Sequence, residues 1–351
     1  MNPHDRAVVI GIRRYWDATP DGSSWVTNLN GPDNDADAVT EWLRQPDGGG
    51  LPVANINTVR SADLPDPFPN EDSAGPQQRA VERAFDNVAE LDPTAFEGQY
   101  AGRRLYVYVS GHGYARQRDE AALVTADAKR ARPLNVLITS WMDWLWDAAR
   151  FKEYVLWVDT CATRVPLTFL KPCDRDPDHS LNAADGRQFT AFAAGFDKRA
   201  VENQMSDGRW HGVFTYALLQ GLKGAASKPI TTSSLRDYLL NNMSSFMRDD
   251  QRSNSAVAKE PAFAQTDELD FGQPAQRSTF AVTLRFPPEW VGRRVTISVS
   301  ATSPLVAETV LQQAEWTPQL QAGIYAVFAP ELSHFHAFAV TGSEDLVIAV
   351  R

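Results

Sequence analysis

Two short stretches of the chain carry side chains able to make and break covalent bonds. The run Leu105-Tyr-Val-Tyr-Val109 ends in Ser110-Gly-His-Gly113, a histidine between two glycines where an apolar segment stops. The run Val155-Leu-Trp-Val158 ends in Asp159-Thr-Cys161-Ala162, which puts one of the two cysteines at the end of a second such segment. A thiol is a weak nucleophile until it loses its proton, with a free pKa of about 8.5, and a neighbouring imidazole is the usual means of removing it. The glycines beside His112 allow close approach of a ligand. In a strand, residues i and i+2 share a face, so Ser110 goes with His112 and Asp159 with Cys161. The pattern points to nucleophilic catalysis by Cys161 with His112 as its partner.

Both stretches must leave one sheet at one edge for this to work. Strand-like runs at Ala7–Ile12, Asn55–Val59, Arg104–Val109, Tyr154–Asp159 and Phe189–Ala193 alternate with amphipathic helices. The helices are Asp35–Arg44, Gln77–Leu91, Ser140–Ala149, Val213–Leu222 and Ser234–Met247, the last capped by Ser233 or Ser234. This alternation predicts an α/β fold with a largely parallel central sheet, in which ligands bind beyond the carboxyl ends of the strands. Ser61–Gly75 and Arg164–Arg187 read as loops that bury little. After Pro274 the pattern changes to short strands at Thr279–Phe286, Arg294–Val299, Thr309–Trp316, Ile324–Phe328, Phe335–Val340 and Leu346–Val350. The expected organisation is a catalytic domain over residues 1–273, a linker at 274–278 and a small all-β accessory domain, sandwich or barrel, at 279–351.

Other chemistry-bearing residues have plainer readings. Cys173 stands in a polar loop and reads as a loop residue rather than a disulfide partner. Asp174, Asp176 and Asp178 alternate as in calcium loops, but the glycine and glutamate such loops need at the sixth and twelfth places are missing. His334 and His336 share a strand face without a third ligand nearby in sequence. Trp141, Trp144 and Leu145 fall on one helical face, which assigns them to the core and leaves Trp146 to face a partner. His211 is the rival base, standing before the Val213–Leu222 helix.

Composition narrows the classes. Hydrophobic residues make up 43% of the 351 residues and charged residues 22%, the balance of a folded globular protein. A formal charge of −10 argues against direct binding to nucleic acid or anionic membrane. No apolar run approaches the length of a membrane span, and Met1–Ile12 lacks the features of a signal peptide, so a reducing cytoplasm is expected. Two cysteines cannot make a disulfide framework. A flavodoxin-like nucleotide binder is disfavoured, since no Gly-x-Gly-x-x-Gly follows the first strand.

A strand ending in Ser-Gly-His-Gly, followed 49 residues after its histidine by the cysteine of Asp-x-Cys, resembles the caspase-like cysteine peptidases, nearest the metacaspase and prokaryotic branch. That spacing is a known property of the family. Ala7-Val-Val-Ile-Gly-Ile12, Leu29-Asn-Gly-Pro-Asp-Asn-Asp-Ala36 and Gly212-Val-Phe-Thr-Tyr-Ala-Leu-Leu219 extend the resemblance over roughly residues 5–270. Asp159-Thr-Cys-Ala-Thr163 departs from the Cys-His-Ser-Gly of metacaspases and the Gln-Ala-Cys-Arg-Gly of caspases, with the dyad intact. The resemblance implies a caspase-like sandwich, Cys161 as nucleophile, His112 as proton donor to the leaving amine, and the amides of Gly113 and Cys161 as oxyanion donors. It places Asp35, Ser110 and Asp159 in the pocket for the residue before the scissile bond. Two aspartates there attract a guanidinium or ammonium, so cleavage of proteins or peptides after Arg or Lys is expected. Arg164, Lys171, Arg175 and Arg187 make the loop that holds them a place for self-cleavage. Further expectations are no bound cofactor (some metacaspases need calcium), a regulatory protein partner for the β domain, and a regulated bacterial effector or defence role. The alternative from another class is a catalytically silent scaffold of the same fold, against which the intact Cys161 and His112 argue.

Overall fold

A computed structural model describes residues 2–19, 24–164, 170–175, 186–226, 229–272, 279–298, 305–320, 323–332, 334–340 and 346–350. The chain divides into two compact units, residues 1–219 with 229–272, and residues 220–228 with 273–351.

The first unit is built on strands β1 (Arg6–Gly11), β2 (Ile56–Arg60), β3 (Gly102–Gly111), β4 (Phe151–Thr160), β5 (Arg187–Phe192) and β6 (Ala262–Thr266). Their order in one six-stranded sheet is β6-β5-β4-β3-β1-β2. All neighbours run parallel except β6, which lies antiparallel to β5 at the edge. β3 and β4 are buried along nearly their whole length, the signature of central parallel strands covered on both faces.

Alternation sorts the side chains between two helical layers. Val107 and Val109 of β3 and Leu156 and Val158 of β4 face a core closed by α2 (Gln78–Ala89) and α3 (Ile138–Asp147), with Phe85 stacked on Trp141 at 5.3 Å. On the other face, Trp157 packs edge-on to Trp42 of α1 (Pro32–Arg44) at 5.7 Å. Fully burying such a side chain contributes about 1.5–3 kcal/mol, so these clusters fix the sheet between its helices. α4 (Val213–Gln220) shares that second face, with Thr215 hydrogen-bonded to Tyr108 at 2.7 Å.

Several boundaries differ from the sequence reading. α1 begins three residues early, because Pro32 occupies its first turn with φ already set. α4 stops at Gln220 and gives way to a π turn, Gly221–Ala225, that contains Gly224 at a φ of 113°. α5 (Thr232–Asn242) is capped by Thr231, not Ser233 or Ser234. Thr231 and Ser234 exchange side-chain and backbone hydrogen bonds, a reciprocal box that fixes the start earlier. The Ser61–Gly75 segment is mostly exposed but buries its ends, Ser61 and Ala74. Ser61 Oγ accepts from the backbone N–H of Arg13 and Arg14, and the Arg14 guanidinium donates to carbonyls of Ser61, Leu64 and Pro65, so this loop braces the exit of β1. Trp146 is half-buried edge-on to Tyr154 at 5.3 Å rather than left for a partner.

The second unit is all-β. One sheet joins Phe280–Arg285 to Glu315–Trp316, Gln319–Leu320 and Leu346–Ala349; the other orders Leu305–Val310, Arg294–Ser298, Gly323–Ala329 and His334–Val340. Val282, Leu284, Val295, Ile297 and Val327 form a common core between them. The Thr309–Trp316 stretch is not one strand, since a bend at residues 312–314 separates Val310 from Glu315.

Candidate active site

β3 and β4 carry the two reactive side chains to the same rim of the sheet. Their register pairs Ser110 with Asp159 and Gly111 with Thr160, and one step further along each strand come His112 and Cys161. Gly113 permits this closeness, because a Cβ there would overlap the Thr160 side chain and stand 2.8 Å from the Cys161 carbonyl oxygen.

A cavity of about 150 Å³ opens at this rim, and Asp35, Ser110, His112, Asp159, Cys161 and Glu202 all contribute to its wall. Every site residue named from the sequence lies here except Gly113, which starts the short strand Gly113–Ala115 beside it. The sequence reading missed Glu202. It sits on a short hairpin, paired with Gly212 across Glu202–Gln204 and Trp210–Gly212. Its carboxylate accepts from the N–H of Asn30 and Gly31 and from Asn30 Nδ2, at 2.8–3.0 Å. A glutamate in a polar segment without apolar periodicity gives no sign of facing a pocket; its pairing with Gly212 in the fold reveals it.

The cavity is acidic and its acids are held by a dense set of donors. Asp35 is fully buried; Oδ2 accepts from the Gly212 N–H at 3.0 Å and from Ser110 Oγ at 3.4 Å, and Oδ1 meets His211 Nδ1 at 2.8 Å. Asp159, 5% exposed, accepts at Oδ2 from Thr215 N–H at 3.0 Å and Thr215 Oγ at 2.6 Å. Gly212 is required, since a Cβ there would overlap that same carboxylate. Burial, then the charge of Asp35, pushes Asp159 up to about 7. Burial pushes Asp35 up to about 6 against the opposing pull of its His211 and Gly212 bonds. Two carboxyl groups desolvated together thus resist full ionisation until a cation joins them.

His211 is accounted for by this network. Both ring nitrogens face carboxylates, Asp35 at 2.8 Å and Asp207 at 3.0 Å. Burial disfavours its charged form, but the two carboxylates outweigh that and raise its pKa. It braces Asp35, and the cavity wall does not include it.

His112 is half-buried, and its Nε2 lies 2.8 Å from the Thr27 carbonyl oxygen. A carbonyl only accepts, so Nε2 carries the hydrogen and Nδ1 of the neutral ring keeps its lone pair. Burial lowers its pKa against the opposing influence of Thr27 and Glu202. Cys161 is half-buried, its Sγ 3.8 Å from the Ala200 carbonyl oxygen, and burial raises its pKa. The resting pair is therefore thiol and neutral imidazole.

Elsewhere, Cys173 is a free, half-buried thiol whose N–H donates to Ser140 Oγ at 2.9 Å. Asp174 pairs with Lys171 and Arg175, while Asp176 and Asp178 lie outside the described residues. His336 is half-buried on its strand, and His334 shares that strand. Among the described residues no cluster of three His, Cys, Asp or Glu side chains could hold a metal ion. No described helix is long and apolar enough to cross a membrane.

The caspase domain family matches residues 4–272. The chain belongs to this family of cysteine peptidases. A probable protease from a Desulfuromonadales bacterium is 26% identical over 256 residues, covering 70% of this chain. The match spans 29% of that relative's length. Among solved structures, caspase-1 from Spodoptera frugiperda aligns over 79% of this chain and 92% of its own, at 11% identity and a TM-score of 0.49. A Geobacter sulfurreducens protein aligns over 78% of this chain and 95% of its own, at 13% identity and a TM-score of 0.43.

Proposed function

We propose that the chain is a cysteine endopeptidase that cleaves proteins or peptides after Arg or Lys. The observation that carries this reading is the joining of His112 and Cys161 with Asp35, Asp159 and Glu202 in one cavity. The thiol and imidazole supply the chemistry; the carboxylates supply a site for a cationic side chain.

In the proposed reaction the Arg or Lys side chain of the substrate enters the acidic cavity, and its charge draws Asp35 and Asp159 into their ionised forms. This sets the carbonyl carbon of that same residue against Sγ of Cys161. Nδ1 of His112 accepts the thiol proton as sulfur bonds to carbon, while the N–H groups of Gly113 and Cys161 receive the developing oxyanion. The same proton passes from His112 to the amide nitrogen as the C–N bond breaks, leaving a thioester on Cys161. Water, deprotonated by His112, then attacks the thioester; sulfur leaves, takes that proton back, and frees the new carboxylic acid, which gives its own proton to solvent. The Thr27 carbonyl, 2.8 Å from Nε2, stabilises the transient imidazolium.

The same specificity makes the Arg164–Arg187 stretch a substrate for self-processing. Lys171, Arg175 and Arg187 are engaged in ion pairs, so cleavage after them requires those pairs to open.

The test is hydrolysis of matched fluorogenic peptides ending in Arg, Lys, Asp or Leu, beside the Cys161→Ala variant. The expected result is turnover of the Arg and Lys peptides alone and none by the variant. Preference for Asp or Leu overturns the specificity, and an active Cys161→Ala protein overturns the mechanism.

A further inference from the structure

We propose that Tyr15 is a positioning residue that holds His112 in register with Cys161, a role that rests on the reading of His112 as the proton carrier. His112 stands between two glycines, and glycine fixes a backbone less than any other residue. It also lies one residue beyond the last register pair of β3 with β4, Gly111 with Thr160. Something other than that pairing must hold it.

Tyr15 does so at two points. The His112 N–H donates to Tyr15 Oη at 2.8 Å, and that hydroxyl donates to the Ile12 carbonyl at 2.9 Å. Accepting from one backbone and donating to another fixes the hydroxyl. The Tyr15 ring also lies against the imidazole, centroids 4.8 Å apart and tilted by 49°. The third point is reached through its neighbour. The Tyr15 N–H donates to Asn28 Oδ1 at 2.9 Å, next to Thr27, whose carbonyl holds Nε2. The Leu29 N–H closes the bracket on the Arg13 carbonyl at 2.9 Å. The backbone N–H, ring face and Nε2 of His112 are thus gripped by residues 12–15 and 27–29, with Tyr15, 3% exposed, at their centre, while the His112 carbonyl accepts from the Val124 N–H at 2.9 Å. Burial keeps the phenol protonated far above its ordinary range, so its part is placement and not proton transfer.

Tyr15→Phe keeps the ring and removes the hydroxyl. Two readouts separate placement from simple support of the fold: the split between kcat and KM on an Arg peptide, and the rate of Cys161 alkylation by iodoacetamide, followed peptide by peptide in a mass spectrometer. The expected result is a fall in kcat of about tenfold or more with KM little changed, and a parallel fall in alkylation at neutral pH. Asn28→Ala should show the same split more weakly, and Asn28→Asp, which keeps the acceptor, should restore it; these decide the matter if Tyr15→Phe does not fold. Wild-type kcat and alkylation in Tyr15→Phe overturn the proposal, as does a rise in KM in step with a fallen melting temperature. Alkylation needs no peptide turnover, so the two readings fail separately. Wild type alkylated faster than His112→Ala, yet cleaving no peptide, removes the peptidase reading and leaves the role of Tyr15 standing. Alkylation equal in wild type and His112→Ala removes it.

Discussion

Replacing Asp159 by Asn should stabilise the fold while removing activity on cationic substrates. The carboxyl is 5% exposed, lies near Asp35 and accepts from Thr215, contacts an amide oxygen can inherit. Its pKa rises from an ordinary 3.8 to about 7 in the folded chain. Between those values the folded state holds a proton that the unfolded state has lost, so stability falls as pH rises through that window and stays low above it. Three units at about 1.4 kcal/mol each set a ceiling of about 4 kcal/mol, and relaxation around a buried charge brings a realistic difference to roughly 2–4 kcal/mol. Asparagine carries no such dependence. Urea unfolding of both proteins at pH 4 and pH 8 measures it: near-equal stability at pH 4, and Asp159→Asn ahead by roughly 2–4 kcal/mol at pH 8. On Arg peptides the variant should lose roughly a hundredfold in kcat/KM, since a charged hydrogen bond is worth about 1.5–3 kcal/mol. A stability gap that does not change with pH would refute the desolvated carboxyl, and undiminished cleavage of Arg peptides would refute its role with the substrate.

Glu202→Gln should lower kcat/KM on Arg and Lys peptides by about tenfold with the melting temperature little altered, because the amide oxygen can still accept from Asn30 and Gly31. Gly212→Ala drives a methyl into the Asp159 carboxylate and should cost about 1–3 kcal/mol in urea unfolding along with activity on Arg peptides; wild-type behaviour would show the fit to be loose. The pH profile of kcat/KM on an Arg peptide should climb from pH 6 to beyond pH 8. Asp35 and Asp159 ionise near 6 and 7, and the Cys161 thiol is raised by burial. A profile that peaks near pH 5 contradicts all three.

The central strands were legible because a parallel strand covered on both faces must be apolar throughout, and the runs ending at Val109 and Val158 have no other reading. Their shared rim followed from the same reasoning, and with it the placement of His112, Cys161, Ser110 and Asp159. β6 was not legible: Ala262–Thr266 is a half-exposed edge strand without a long apolar run. The cap at Thr231 was not legible because four hydroxyl residues, Thr231 to Ser234, follow one another, and only the reciprocal bond with Ser234 chooses between them. Glu202 and Tyr15 were hidden for a deeper reason. What each does depends on a partner distant in sequence, Gly31 for one and the His112 backbone for the other, and local spacing carries no record of such pairs.

Reaction with a peptidyl-arginine chloromethyl ketone, mapped by mass spectrometry, tests most directly whether thiol, imidazole and acidic cavity act on one substrate. The account requires a single adduct on Cys161, lost in His112→Ala and slowed in Asp159→Asn. An adduct on Cys173, or labelling of Cys161 at equal rates by arginyl and aspartyl reagents, would contradict it.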